Sequence, residues 1–369
     1  MMWIFLLLAA AATGLAAVAY LVSRFHRLSP IARLGRAHRG LSWLAAAAPV
    51  ALLGACFAGI NLPTAIVVLL HLVLFWLLCE LAGRLWARLA GGRLRRDAIG
   101  VAALCLTAAY LGLGWFMAHH VFRTEYALET EKNLGDQGLR VAVVADAHLG
   151  ITLDGKEFAR LMARVQAESP DLVAIVGDFV DDNSGQKDML EACAALGRLE
   201  TTCGVYFVFG NHDEGYFDHR DFTAAQLREA LEQSGVVILE DEAAPAGDFA
   251  WVVGRKDRSM PGRRQAAELT AGLDTSKYVI LLDHQPNDYA NEAVSGADLV
   301  LSGHTHGGHL FPVGWIGLAL GANDRVYGRE SRGNTTFIVT SGVSGWAIPF
   351  KTGTFSEYVV IDIAEARAG

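Results

Sequence analysis

The 369-residue sequence predicts an α/β domain preceded by an all-α membrane domain of four transmembrane helices. Three observations carry that prediction. Four apolar runs fall before His120, each near the ~20 residues that cross a bilayer core. Beyond residue 138, short β-branched runs alternate with amphipathic segments, the order of an α/β fold. Five of those β runs end directly in clusters of Asp, Asn and His.

Composition reflects the split. Hydrophobic residues make up 52% of the chain and charged residues 19%, and the mean hydropathy of +0.29 is high for a wholly soluble protein. The formal net charge of −8 weighs against a nucleic-acid partner, which selects a basic face. Cys56, Cys79 and Cys105 lie in the apolar region, and Cys193 and Cys203 in the polar one. No CxxC pattern occurs, which argues against a zinc-thiolate site, and the last two cysteines read as free buried thiols in preference to one bridge.

Residues 1–22 carry no charge and Arg24 follows them. The run exceeds a signal-peptide core and has no basic start, so it reads as the first span. The second covers about 41–60, Asn61-Leu62-Pro63-Thr64 breaks it, and the third and fourth cover about 65–82 and 99–118. Five arginines (24, 27, 33, 36 and 39) follow the first span and five more (84, 88, 93, 95 and 96) follow the third, whereas the turn between the second and third has no Lys or Arg. The positive-inside rule then puts both Arg-rich loops in the cytoplasm and everything after His120 outside. Within the third span His71 is expected to hydrogen-bond between helices, and Glu80, His119 and His120 to snorkel from span ends. Domain bounds follow: membrane domain 1–120, mixed-charge linker 121–137, α/β domain 138–369.

In the α/β domain the run Leu139-Arg140-Val141-Ala142-Val143-Val144 ends in Ala145-Asp146-Ala147-His148. A helix over 155–168 is stopped by Ser169-Pro170. Leu172-Val173-Ala174-Ile175-Val176 ends in Gly177-Asp178-Phe179-Val180-Asp181, and a helix over 186–199 follows. Val205-Tyr206-Phe207-Val208-Phe209 ends in Gly210-Asn211-His212-Asp213, before a helix over 224–234 and strands at 236–239 and 250–253. Val279-Ile280-Leu281-Leu282 leads into Asp283-His284-Gln285-Pro286, and Leu299-Val300-Leu301 into Gly303-His304-Thr305-His306-Gly307-Gly308-His309. Strands at 336–340 and 358–363 close the domain.

In α/β sheets ligands bind beyond the carboxyl ends of the strands. One Asp after a strand is commonly a cap or turn former; five clusters of N and O donors at strand ends are not explained that way. Neutral imidazole and carboxylate together suit manganese, iron or zinc.

The ordered set D-x-H, G-D-x-x-D, G-N-H-D, a lone His and G-H-x-H, over roughly 138–363, resembles the calcineurin-like metallophosphoesterase superfamily. With the membrane region, the chain looks like its bacterial membrane-associated branch, akin to transmembrane proteins with a metallophosphoesterase domain. The resemblance implies a four-layer α-β-β-α sandwich holding two divalent metal ions (manganese, iron or zinc). Asp146, His148, Asp178 and His306 would hold one ion, and Asp178, Asn211, His284 and His304 the other, with Asp178 bridging. It also implies attack by a metal-bridging hydroxide, with His212 as general acid oriented by Asp213, on a phosphodiester or pyrophosphate bond. Four spans beside such a site suggest a lipid-linked phosphoester in the bacterial cytoplasmic membrane, with the catalytic domain on the extracytoplasmic side.

Some similar proteins cleave the pyrophosphate of UDP-2,3-diacylglucosamine in lipid A synthesis. That alternative substrate is cytoplasmic, and the orientation counts against it. A non-catalytic membrane sensor or binding protein on the same fold would show lost ligands, and none is missing. Asp181 reads as a structural acceptor. Where the branch would carry Gln, this chain has His309, either a contact to a ligand or phosphate or a tolerated change. Arg255 and Arg258, in a basic segment with Lys256, Arg263 and Arg264, are candidate phosphate contacts or part of a solvated loop. Trp346 and Phe350 are expected to pack.

Overall fold

The computed structural model describes residues 2–135, 137–216 and 220–366, with side chains from residue 12 onward. The chain divides into two compact units, Met1–Leu113 and Gly114–Gly369.

The first unit holds α1 (Met2–His26), α2 (Ser29–Ala37), α3 (Arg39–Ala58), α4 (Leu62–Leu89) and most of α5 (Arg96–His119). Among the described residues α3, α4 and α5 are long and apolar enough to cross a membrane, three helices where the sequence suggests four. The expected first span falls within α1, half of it outside the described side chains. Asn61 breaks the chain as a cap: its Oδ1 accepts from Thr64 N at 2.8 Å, and Pro63 sits in the first turn, where a missing N–H costs nothing. Two membrane-region readings change. Glu80 pairs with Arg24 Nε at 2.7 Å. His71 Nδ1 bonds Val67 O of its own helix at 2.8 Å, so a helical i−4 carbonyl satisfies the ring where an interhelical partner was expected.

In the second unit one six-stranded sheet has the order β1 (Val121–Thr130), β12 (Ser356–Glu365), β2 (Leu139–Val144), β3 (Leu172–Val176), β4 (Gly204–Val208), β5 (Val237–Ile238). The other has the order β10 (Gly328–Arg332), β11 (Thr335–Val339), β9 (Leu299–Ser302), β8 (Tyr278–Leu282), β7 (Ala250–Gly254), β6 (Glu242–Ala246). The helices are α6 (Gly155–Ala167), α7 (Gln186–Leu196), α8 (Ala224–Gln233), α9 (Ala266–Thr270), α10 (Tyr289–Glu292) and α11 (Val313–Ala319). α6 starts where Asp154 and Glu157 cap each other reciprocally, an arrangement that satisfies two orphan N–H groups.

Most of the expected linker is a strand. β1 pairs in parallel with β12 from Val121↔Ser356 to Thr130↔Glu365, and its charges fall on the more open positions of a period-two pattern. One buried cluster combines side chains of both sheets, among them Val141, Leu172, Val252, Ile280 and Ile338. A second joins the first sheet to α6, α7 and α8, and a third joins the second sheet to α9 and α10. β2, β3 and β4 run parallel, as do β7, β8 and β9, so each trio delivers its carboxyl-end loops to a common edge. Cys193 and Cys203 are free thiols.

Candidate metal centre

Those loops are tied to one another through the backbone. His148 N donates to Asp178 O and Gly303 N to His284 O, each at 3.0 Å. His304 N donates to Asp146 Oδ1 at 2.8 Å, which links the two sheets across the site. Close approach depends on glycine: a Cβ on Gly303 would lie 2.5 Å from Asp146 Oδ2, and one on Gly177 would lie 2.5 Å from His284 Nδ1. The ligand-type residues also adopt left-handed backbone conformations that non-glycine residues rarely visit. The φ angles are 53° at Asp146, 36° at His148, 51° at Asp178, 67° at His304 and 47° at His306. Each costs about 1–3 kcal/mol, so the surrounding structure holds the loops against that cost.

The side chains converge in two groups. Asp146, His148 and His306 form one, and Asp178, His284 and His304 the other, with the donor atoms of each group within 4.8 Å of one another. Asp178 Oδ2 lies 3.1 Å from His284 Nε2 and 3.5 Å from His148 Nε2, so its carboxylate faces both groups. Ring orientations are set from behind: His284 Nδ1 bonds Val176 O at 2.8 Å and His306 Nδ1 bonds Ser344 O at 3.2 Å. Asp181 Oδ2 lies 3.4 Å from His148 Nδ1 and its Oδ1 accepts from Asn183 N, as expected of a structural acceptor.

With Nδ1 of His284 and of His306 occupied, the site-facing atoms are short of partners. His148 Nε2 and His306 Nε2 face each other at 3.2 Å. Buried His284 Nε2 and His304 Nδ1 have no hydrogen-bond partner among the described residues. Two imidazole nitrogens face to face and two orphaned ones, all next to carboxylates, fit divalent cations, and the all-N/O donor set fits borderline metals. Electrostatics agree. Burial opposes ionisation of Asp178, but the charge of His284 beside it, with that of His148 beyond, holds the carboxyl well below its ordinary range. Burial, with His284 adding to it, pushes His304 down to about 4, so its imidazole is neutral and available as a ligand.

A sequence model for calcineurin-like phosphoesterases matches residues 139–308. Over 266 residues the chain is 31% identical to an uncharacterized metallophosphoesterase of Aquifex aeolicus, covering 69% of this chain and 97% of that one. The chain belongs to the calcineurin-like metallophosphoesterase family. Other metallophosphoesterase relatives include an uncharacterized protein of Campylobacter jejuni, 32% identical over 61% of this chain and 59% of its own length. A third is a transmembrane protein with a metallophosphoesterase domain from Danio rerio, 31% identical over 62% of this chain and 54% of its own. The chain thus spans little more than half of the last two.

In this member of the family a cavity of about 680 Å³ lies over the two ligand groups, with Asp178, Asn211, His212, His304, His306 and His309 in its wall. Asn211 Nδ2 donates to Tyr216 Oη at 2.8 Å. The His212 ring stands 5.0 Å from that of His148 and 5.6 Å from that of Trp346. Burial lowers the His212 imidazole below its ordinary value, with Asp178 opposing. His309 stacks 5.4 Å from His306 and is pushed down to about 3 by burial and the Lys351 charge, so it is neutral.

Four expectations need correcting. Asp213 does not orient the His212 ring. Its buried carboxylate accepts from the backbone N–H groups of Asp178, Phe179, Val180 and Gly210 at 2.7–3.0 Å, and so clamps the loops after β3 and β4. Arg255 is not a phosphate contact: it is 3% exposed and pairs with Asp283, Asp288 and Glu292 at 2.9–3.1 Å. Arg258 is exposed and is not among the cavity-lining residues, because the basic segment folds toward that acidic cluster. Phe350 packs as expected, but Trp346 is 45% exposed and lines the cavity. Tyr216 and Asn183 also line it. Neither sits in a motif with chemical spacing, so only the fold reveals them.

Proposed function

We propose that the protein is a membrane-anchored phosphoesterase that hydrolyses a phosphodiester or pyrophosphate bond at a two-metal centre. The observation that carries this reading is the meeting of two buried ligand groups at one carboxylate, Asp178, beneath an open cavity. Asp146, His148, Asp178 and His306 would hold one metal, and Asp178, Asn211, His284 and His304 the other. Metals bound there supply Lewis-acid activation of water and charge stabilisation for in-line displacement at phosphorus.

The protein's own groups do the rest. His212 N–H donates to Asp178 Oδ1 at 2.9 Å, fixing the carboxylate with Oδ2 toward both histidines. The His212 ring lines the cavity beside His148, the position from which its protonated form would pass a proton to the departing alkoxide; the lowered imidazole makes that form a stronger acid but a less populated one. Asp213 keeps both loops in register behind them. The three core clusters support an α-β-β-α order of layers. Residues 1–22 complete a four-span anchor, and the arginine distribution supports an extracytoplasmic catalytic unit.

The test assays the full chain in detergent, with added manganese, against bis-p-nitrophenyl phosphate and lipid diesters. Metal-dependent turnover abolished by Asp178→Asn supports the reading. Absence of turnover on every ester, or full activity in Asp178→Asn, defeats it.

A further inference from the structure

We infer that the segment Phe311 to Leu320 is a membrane-seated wall of the catalytic cavity, so that the substrate is drawn from the lipid phase with its acyl part beside this segment. The inference rests on the phosphoesterase reading and adds the substrate class to it. Residues 310–322 contain no charged side chain. They include α11, which has no buried residue. Phe311, Val313, Trp315, Ile316, Leu318 and Leu320 are 49–79% exposed. A contiguous apolar surface of this kind marks an interaction site. The helix is far too short to span a bilayer, and one amphipathic Trp among aliphatic residues suits the boundary between headgroups and chains.

What covers it follows from its neighbours within the same unit. The final turns of α5, the last membrane-crossing helix by length and composition, belong to this unit. Gly114 O there accepts from Lys351 N at 2.9 Å. The next residue, Thr352, donates its N–H to His309 O at 2.9 Å and accepts from Phe311 N through Oγ1 at 3.2 Å. A single short loop therefore holds both the end of a spanning helix and the start of the apolar segment. Trp115 and Phe116 on that helix end are themselves 51% and 46% exposed, so the end of the spanning helix also carries uncovered aromatic side chains. On the other side, Val313, Gly314 and Gly317 line the same cavity as His212, His304 and His306. A phosphoester whose acyl chains remain in the membrane would thus reach the metal groups along this wall.

The experiment uses the full chain in nanodiscs. Trp315 emission is isolated as the difference between wild type and Trp315→Phe, with phosphatidylcholine brominated on its acyl chains as one quencher and aqueous iodide as the other. The inference expects quenching by the brominated chains and shielding from iodide. Iodide quenching of Trp315 overturns it. Protection from both quenchers, with two chains per disc, means that a second copy covers the segment, and also overturns it.

Turnover separates this from the underlying reading. The double variant Trp315→Glu, Ile316→Glu should lose at least tenfold on phosphatidyl-p-nitrophenol in the disc. On soluble bis-p-nitrophenyl phosphate it should stay within twofold of wild type. Equal loss on both substrates counts against a membrane-facing wall. No turnover of either by wild type sinks the phosphoesterase reading, while the quenching result still decides where the segment sits.

Discussion

Replacing Asp213 separates a structural clamp from a catalytic partner. Its carboxylate accepts four backbone N–H groups, from Asp178, Phe179, Val180 and Gly210, with no exposure to solvent. Hydrogen bonds to a charged group contribute about 1.5–3 kcal/mol each. If water entering the vacated space takes over half of the four, Asp213→Ala costs about 3–6 kcal/mol. For a domain of this size that lowers Tm by roughly 6–24 °C. Asp213→Asn should fall between, because one amide oxygen can serve Phe179 and Val180 while the NH₂ faces two other donors. The assay is thermal unfolding of the full chain in detergent by near-ultraviolet circular dichroism, alongside metal content and kinetics on two esters. A clamp predicts lowered Tm and lost metal, because Asp178 shifts with its backbone. A normal Tm and normal metal content, with activity lost only on esters of basic alcohols, would refute this account and restore Asp213 as the partner of His212.

Further outcomes follow from the same geometry. His212→Ala should lower turnover of an alkyl phosphodiester by about 10²–10⁴-fold and that of a p-nitrophenyl ester far less, since p-nitrophenolate leaves without a proton; equal losses would remove His212 as the acid. Gly303→Ala places a Cβ 2.5 Å from Asp146 Oδ2 and should weaken metal binding at the Asp146, His148 and His306 group, as read by metal titration of the variant. Arg255→Ala removes the buried cation that Asp283, Asp288 and Glu292 share, leaving only Arg263 on Asp283, and should cost about 3–5 kcal/mol in stability. With Arg258→Ala close to wild type throughout, a rise in KM without loss of Tm in either variant would revive the phosphate-contact reading.

Much of the α/β unit was legible because its strands are short, β-branched and bounded by Gly and Pro. The runs at Leu139, Leu172 and Leu299 became β2, β3 and β9 almost residue for residue. The convergence of Asp146, His148, Asp178, His284, His304 and His306 was legible too, since each lies just past a strand end. What the sequence hid depends on long-range geometry. β1 exists because β12 offers it a ten-residue parallel partner, which no local signal announces. Asp213 and Arg255 carry the residue types of a site, but their roles depend on where backbone N–H groups and carboxylates fall after folding. The left-handed backbone at the ligands is invisible in a list of Asp and His, because those residue types seldom adopt it and so do not signal it as a glycine can. The apolar segment after His309 reads locally like any core helix; only the folded chain shows that nothing among the described residues buries it.

The most direct test of the central claim is electron paramagnetic resonance of the full chain loaded with manganese(II). Asp178 facing both ligand groups predicts an exchange-coupled pair of ions in the wild type, collapsing to a single-ion signal in Asp178→Asn. A wild-type spectrum of isolated manganese alone, at one ion per chain or at two, would contradict the account.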